Sequence, residues 1–340
     1  MKKSHNLTII FAIPCLWFCQ QLSAQEKLHY WNESEAYLQD QASYIYEAVY
    51  KVLAAHPPGI QLGNERRLAL ASLDALLHDT RLDNGTAFFA YINQRYSNIS
   101  LALQDNKPSG QEIRIFRLYN HGFIIQTSSV TLAVDMIRGG RADNSFVSDE
   151  LIQSIVNQCD ILFITHAHGD HADPVVAKLF YEQGKQVIVP EELWKNMDMS
   201  LRVLRGRNDM IQEKILIKEK NISLSVRVYP GMQENVLNNV YLITLPEGQT
   251  IMHTGDQDFS EDLAAKAGAQ KINILFVQCW MMPMAQFVAG VNPELIITGH
   301  ENEMLHSIDH RESYWLTFRR MSEIRASYVI MAMGESCKFR

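Results

Sequence analysis

The segment Ile161-Leu162-Phe163-Ile164-Thr165-His166-Ala167-His168-Gly169-Asp170-His171 decides how this chain is read. Its apolar first half reads as a buried strand, and the metal-capable side chains His166, His168, Asp170 and His171 crowd directly behind it. Histidine supplies borderline-soft nitrogen and aspartate a hard oxygen, a mixture that suits Zn²⁺ well and Mn²⁺ or Fe²⁺ acceptably. In extended backbone His166 and His168 face the same way, because side chains alternate across a strand, so they can grip one ion together. Gly169 lets the backbone turn, bringing Asp170 and His171 to the same cavity from another angle, as a second ion a few ångströms away requires. One short loop can hold half of a two-metal site.

The segment resembles the H-x-H-x-D-H signature of the metallo-β-lactamase superfamily. Farther along, His253-Thr254-Gly255-Asp256 ends a strand-like run, and Gly299-His300 follows another. The resemblance implies an α/β (α+β) fold, a four-layer αββα sandwich, here with an N-terminal helical extension. It makes Asp256 the carboxylate shared by two ions, an anionic oxygen that offsets their mutual repulsion. His300 becomes the final metal histidine, and His253 a hydrogen-bonding neighbour rather than a ligand. Asp170 is implied both as ligand and as the acid/base residue. The metal set is then His166, His168, Asp170, His171, Asp256 and His300, with two divalent ions, zinc first and manganese or iron as alternatives. A strand ending in an aspartate also fits the family at Asp135, but Asp135 reads equally as a strand-end cap and His121 as a turn residue. Neither is counted among the ligands.

The chain departs from the family pattern in one place. A further metal histidine is expected after a strand and a Pro-Gly pair, yet Pro230-Gly231 is followed by Met232-Gln233-Glu234-Asn235. Glu234, Gln233, Asn235, His306 or a water stays open for that position, and a missing nitrogen shifts preference toward harder metals such as Mn²⁺. The resemblance covers residues 111–310. Its spacing is closer to the branch of metal-dependent hydrolases that includes ascorbate-6-phosphate lactonase than to true β-lactamases.

Composition bounds the setting. Residues 1–24 read as a secretory signal, with Lys2 and Lys3, an apolar core and Leu22-Ser23-Ala24 as a cleavage site. The apolar core is short for a membrane span, and neither Cys15 nor Cys19 follows the small residue of a lipid-attachment site. The expectation is an exported protein, periplasmic or secreted from a bacterium, without a stable membrane anchor after cleavage. With 38 acidic against 31 basic residues, the charge of −7 gives no electrostatic reason to expect a nucleic-acid partner. Cys159, Cys279 and Cys337 show no paired spacing, so stability is expected from an apolar core rather than from disulfides.

The predicted organisation is a signal at 1–24, a helical region at 25–106 and the hydrolase-like domain at 107–340, divided at the polar break 105–110. In the helical region Tyr44, Ile45, Ala48, Val49, Val52 and Leu53 define one stripe, and Asn64 caps a second helix through Leu70, Leu73 and Leu77. Phe89, Ile92, Tyr96, Ile99 and Leu103 define a third. These stripes read as packing against the following domain; a lid, dimer contact or substrate wall is the alternative. Strands are expected at 113–118, 123–126, 130–135, 187–189, 222–229, 240–245, 250–254, 271–277 and 295–298, the fifth ending at Pro230. Helices are expected at 149–158, from Asp173-Pro174 through Tyr181, and at 313–325. Arg202, Arg205 and Arg207 form a basic cluster read as solvated surface. The turn Gln278-Cys279-Trp280-Met281-Met282-Pro283-Met284 reads as a substrate wall or as core.

The chemistry such a site supplies is hydrolysis. Two cations lower the pKa of a bridging water so that hydroxide forms near neutral pH, and one polarises the bond under attack. An ester, lactone or phosphodiester-type bond in a small-molecule substrate suits this machinery; surrounding loops set the choice. Two other classes stand beside it: a non-catalytic metal-binding protein with a degenerate site, and a di-iron redox enzyme on the same fold.

Overall fold

The structure is a computed structural model that describes residues 29–79, 85–105, 107–141, 144–191, 193–197, 202–203 and 210–340. The signal reading, Arg205 and Arg207 lie outside the described residues, as does the side chain of Arg202. Residues 1–38 and 39–340 form two compact units. In the first, the Tyr30 ring packs edge-on against Tyr37.

Three helices open the chain: α1 (Ser34–Ala55), α2 (Asn64–Asp79) and α3 (Thr86–Gln104). A meander follows, β1 (Ile113–Arg117), β2 (Phe123–Gln126) and β3 (Thr131–Val134), then the small hairpin β4 (Gly140–Arg141) and β5 (Asn144–Ser145). Next come α4 (Asp149–Gln158), β6 (Ile161–Phe163), α5 (Pro174–Glu182), β7 (Gln186–Val189) and β8 (Arg202–Val203). The second half runs β9 (Ile211–Ile217), β10 (Ile222–Gln233), β11 (Val236–Thr244), β12 (Thr250–His253), α6 (Glu261–Gly268), β13 (Ile274–Gln278), α7 (Met284–Val291) and β14 (Leu295–Gly299). It closes with α8 (Tyr314–Met321), β15 (Tyr328–Val329) and β16 (Ser336–Phe339).

Two seven-stranded sheets carry the fold, in the orders β16-β1-β2-β3-β6-β7-β8 and β15-β14-β13-β12-β11-β10-β9. Alternation along the strands sorts their side chains into layers. Ile113, Ile115, Phe123, Ile125 and Phe163 from the first sheet meet Leu224, Val226, Val228, Ile274 and Phe276 from the second in one buried cluster. The opposite side chains of the first sheet, Phe116, Ile124, Ala133 and Leu162, join Leu73, Ile92, Tyr96, Ile152 and Phe180 of the helices in a second cluster. On the far side Leu242, Met252, Leu275 and Ile296 join Leu263, Phe287 and Val291 of α6 and α7. The layers run α, β, β, α, the sandwich that the resemblance implies.

Local chemistry sets the helix starts. Asp173 accepts from the backbone N–H of Val175 and Val176, with Pro174 in the first turn of α5, while Ser148, Ser260 and Ser313 cap α4, α6 and α8. Helices α2 and α3 share the compact unit that holds the sheets. Two arginines on their buried faces anchor them to the segment before β16. Arg66 donates to Glu335 Oε1 at 2.8 Å and to the Ile330 carbonyl, and Arg95 Nε donates to the Met333 carbonyl at 3.1 Å.

Several expectations need correction. In α1 the inward tyrosine is Tyr46, stacked on Tyr91, whereas Tyr44 is exposed. Strand β10 does not stop at Pro230 but continues to Gln233, pairing Pro230 with Asn239 and Gly231 with Asn238. Among the described residues its pairing with β9 runs only as far as Val228, so no second ladder is seen at the proline there. Helix α8 ends at Met321, capped at Ser322 by bonds to the Arg320 and Phe318 carbonyls. Strand β16, which completes the first sheet against β1, and β9 escape the sequence reading because short or charged edge strands alternate weakly. Cys159, Cys279 and Cys337 are free and buried, as composition leads one to expect.

Candidate metal centre

Parallel strands β3, β6 and β7 deliver the chain to one edge of the first sheet, and the 164–171 loop starts there. Its shape is imposed by Asp135, which follows β3 in left-handed backbone (φ 46°) and is wholly buried. The Asp135 carboxylate accepts from Thr165 N at 2.8 Å, Thr165 Oγ1 at 2.6 Å and His171 Nδ1 at 2.8 Å. Across the sandwich Tyr241 donates to the Ile164 carbonyl and Asn239 N to that of Thr165, both at 2.8 Å. The loop then turns tightly, His171 N and Ala172 N both reaching the His168 carbonyl. His166 packs its ring against both His168 and His171, at centroid distances of 4.7 and 4.2 Å. His166 and His171 are buried, while His168 and Asp170 remain partly open.

The second sheet contributes from the ends of β12 and β14. After His253 the chain turns through Gly255, whose φ of +54° and missing Cβ are both required, since a Cβ would stand 2.3 Å from Asn238 Oδ1. Asn238 clamps the turn, donating to the Thr254 carbonyl at 2.8 Å and accepting from Asp256 N at 3.2 Å. His300 follows β14 with φ 75°, its N–H bonded to the Asn120 carbonyl. Asn302, just beyond, donates to Asp74 on α2 at 2.9 Å, which ties the N-terminal helices to this loop.

These elements bring Asp170, His171, Asp256 and His300 together, one ligand atom from each lying within 4.8 Å of all the others. Asp256 Oδ2 stands 3.1 Å from His300 Nε2, 3.2 Å from His171 Nε2 and 3.9 Å from His166 Nε2. Asp170 Oδ2 stands 3.2 Å from His300 Nε2 and 3.6 Å from His171 Nε2. Although near these carboxylates, the buried Nε2 atoms of His166 and His300 form no hydrogen bond among the described residues. Nitrogen and oxygen donors that converge in a buried setting fit a divalent cation.

The charges agree. Burial disfavours charge on His300, but the carboxylates of Asp256 and Asp170 outweigh it and raise its pKa to about 10; His171 is raised for the same reasons. Burial works against ionisation of Asp256 and Asp170 too, and the adjacent His171 and His300 nonetheless hold both well below the usual carboxylate range. His166 is pushed down to about 3 by burial and by His171, so it stays neutral with a free lone pair. The cluster favours positive charge at its centre, which protons supply on two imidazoles in the metal-free protein.

Three residues that the sequence reading set aside or missed belong to this site. Asp135 orients His171. Asn120, in the turn between β1 and β2, donates to Asp170 Oδ2 at 3.0 Å. Its neighbour His121 reaches under Asp256, Nδ1 lying 3.8 Å from Oδ1. A polar Asn-His pair inside a run of otherwise buried strand residues was the available signal. His253 behaves as expected, one ring nitrogen at the His121 carbonyl and the other accepting from Gly255 N.

The residues weighed for the open ligand position lie in different settings. Glu234 and Asn235 form the exposed tip of the β10–β11 hairpin, and Glu234 N is bonded to Asp258. Gln233 is half-buried, its Oε1 without a partner among the described residues. His306 is exposed and stacks its ring beside that of His300 at 5.7 Å. The 278–284 turn divides its duties: Met281 and Met284 are core, while the Trp280 ring meets His300 edge-on at 5.7 Å. A cavity of about 300 Å³ adjoins the centre, lined by Tyr119, Arg141, Asp170, Pro174 and Glu303 among others. Larger cavities of about 470 and 570 Å³ lie along α2 and α8 and include none of the clustered residues.

Comparison with known proteins agrees with this geometry. The family described as the beta-lactamase superfamily domain matches residues 117–298, more than half of the chain and all of the site except His300. The chain belongs to the metallo-β-lactamase superfamily. A protein of Thermodesulfovibrio yellowstonii named as a metal-dependent hydrolase is 28% identical over 168 residues, 42% of this chain and 61% of the relative. The chain thus matches about three fifths of that relative's length. Among solved structures, a metallo hydrolase from Ignicoccus hospitalis aligns with a TM-score of 0.53 at 15% identity, over 68% of this chain and 99% of the other. An isothiocyanate hydrolase from Delia radicum gut bacteria aligns at 0.51 with 13% identity, over 66% and 98%. At such identities the structures speak for the shared fold alone.

Proposed function

We propose that this protein is a metal-dependent hydrolase of small molecules, with His166, His168, Asp170, His171, Asp256 and His300 as its metal ligands and Asp256 shared between two ions. The observation that carries the reading is the convergence of Asp170, His171, Asp256 and His300 from the ends of three strands into one buried cluster. When bound there, divalent ions lower the pKa of a coordinated water toward neutrality and polarise the bond under attack.

The protein's own residues do the rest. Asp135 holds His171 through Nδ1, which turns Nε2 toward Asp170 and Asp256, where it would ligate. His166 and His300 have Nε2 atoms that face the carboxylates without a hydrogen-bond partner among the described residues, placed for the same use. Asp170 is the more exposed of the two central carboxylates, at 16% against 2% for Asp256, and it lines the cavity. It stays ionised at any working pH, and Asn120 fixes the oxygen that faces His300. In that position Asp170 accepts the proton of the attacking water and passes it toward the leaving group. The cavity is at the small end of ligand pockets, roughly 300 to 1,000 Å³, which favours a small substrate with an ester, lactone or phosphodiester-type bond. Zinc is the proposed metal on the histidine content of the set, with manganese or iron as alternatives. The signal-like residues 1–24 support export to the periplasm or beyond. No helix among the described residues is long and apolar enough to cross a membrane.

The test is metal content of protein purified without added metal, followed by ester, lactone, phosphodiester and amide substrates on the same sample. Zinc or manganese with turnover supports the proposal. Tightly held metal without turnover on the panel would overturn it in favour of a binding protein, and iron with oxygen consumption in favour of redox chemistry.

A further inference from the structure

His121 has no part in the mechanism above, yet it is as deeply buried as His166 and His171. It is fully buried, and neither ring nitrogen has a hydrogen-bond partner among the described residues. Opposite its Nδ1, at 3.8 Å, lies Asp256 Oδ1, which is likewise buried and unpartnered. The two oxygens of Asp256 therefore face different company: Oδ2 looks toward His171 and His300, Oδ1 toward His121. Two buried polar atoms that face each other, neither with another partner among the described residues, are each other's natural partners.

The ring is wedged where it stands. On one side it lies against His253, centroids 4.4 Å apart, and His253 is itself held at both nitrogens. On the other side it fills the space that Gly299 leaves open, since a Cβ there would come within 2.4 Å of His121 Cδ2. Phe123 closes the edge at 5.9 Å. A side chain so confined can address the aspartate and little else.

We infer that His121 is a positioning residue: its Nδ1–H donates to Asp256 Oδ1 and so reserves Oδ2 for the metal ions. The inference rests on the proposal that Asp256 is a ligand. The role requires the 3.8 Å gap to close to hydrogen-bond length by rotation of the carboxylate about its own torsions. A shared carboxylate otherwise free to rotate is then set in one orientation.

Zn²⁺ titration against a chromophoric chelator tests this, with thermal midpoints recorded in EDTA. His121→Phe keeps an aromatic ring and removes the donor; His121→Asn restores an N–H near the position of Nδ1. The Phe variant is expected to bind the same number of ions about 10- to 100-fold more weakly, and the Asn variant to recover most of that loss. Wild-type affinity in the Phe variant would overturn the inference. So would loss of a whole metal equivalent, which would make His121 a ligand, or equal weakening in both variants, which would reduce its role to packing. Should the Phe variant fail to fold, His121→Ala against His121→Asn carries the same contrast. A wild-type protein that binds no Zn²⁺ at all would instead sink the reading of the site; normal wild-type binding with an unaffected Phe variant sinks only the role of His121.

Discussion

Asp135→Asn changes one buried atom type and should disable the centre through its second layer. The carboxylate accepts from three donors: Thr165 N at Oδ1, and Thr165 Oγ1 and His171 Nδ1 at Oδ2. An amide has one acceptor oxygen. If the oxygen takes the Oδ1 position, the NH₂ faces His171 Nδ1, the ring must protonate on Nε2 instead, and the lone pair that faces Asp256 is gone. If the amide flips, the NH₂ opposes the Thr165 N–H, and the loop carrying His166 and His168 loses its anchor. Either way one bond to an ionised, buried acceptor is lost, about 1.5–3 kcal/mol, or roughly 10- to 100-fold in metal affinity. The assay is Zn²⁺ competition at pH 7.5, with near-UV circular dichroism to confirm that the core is intact. Wild-type affinity in a folded Asp135→Asn protein would refute the claim that Asp135 sets the His171 tautomer.

His168→Ala should lose metal while its thermal midpoint in EDTA stays within a degree or two of wild type, because His168 is only partly buried; metal analysis after dialysis decides it. Glu234→Ala should leave metal stoichiometry unchanged, since Glu234 occupies the exposed hairpin tip. The metal-free protein should be sensitive to alkali: His300, raised to about 10 against an ordinary 6.5, adds stability that is complete below about pH 6.5 and lost as pH rises through 10. Thermal midpoints in EDTA should therefore fall across that window, and Zn²⁺, by replacing those protons, should flatten the fall. Asp74→Ala strips the acceptor from Asn302, Tyr314 N and Trp315 N; urea unfolding should show a loss of about 2–4 kcal/mol, and a loss under 1 kcal/mol would deny α2 its part in supporting the His300 loop.

Much of the fold was legible because its signals are local. The periodicity of 149–158 marks α4 to the residue, Asp173-Pro174 marks the start of α5, and the apolar runs before His166, Asp256 and His300 mark the strands that end at the centre. Where neighbours decide, the reading slipped. Pro230 looked like a terminus because a proline breaks a ladder, but whether a second ladder exists there depends on where β9 stops. Tyr44 and Tyr46 differ by two positions, and only the placement of Tyr91 selects the inward one.

The candidate centre divides along the same line. His166, His168, Asp170 and His171 declare themselves by spacing within one loop, since ligands that close in sequence are close in space whatever the rest of the chain does. The meeting of Asp170 and His171 with Asp256 and His300 could be expected from the resemblance, but it exists only because β6, β12 and β14 end at the same edge of the sandwich. The parts played by Asp135, Asn120 and His121 were beyond the sequence altogether. Each sits in a turn where asparagine, aspartate and histidine are ordinary, and what sets them apart is the donor or acceptor that another strand places opposite them. Hydrogen bonds between distant segments depend on sub-ångström distances and on burial, which arise only when the two sheets pack.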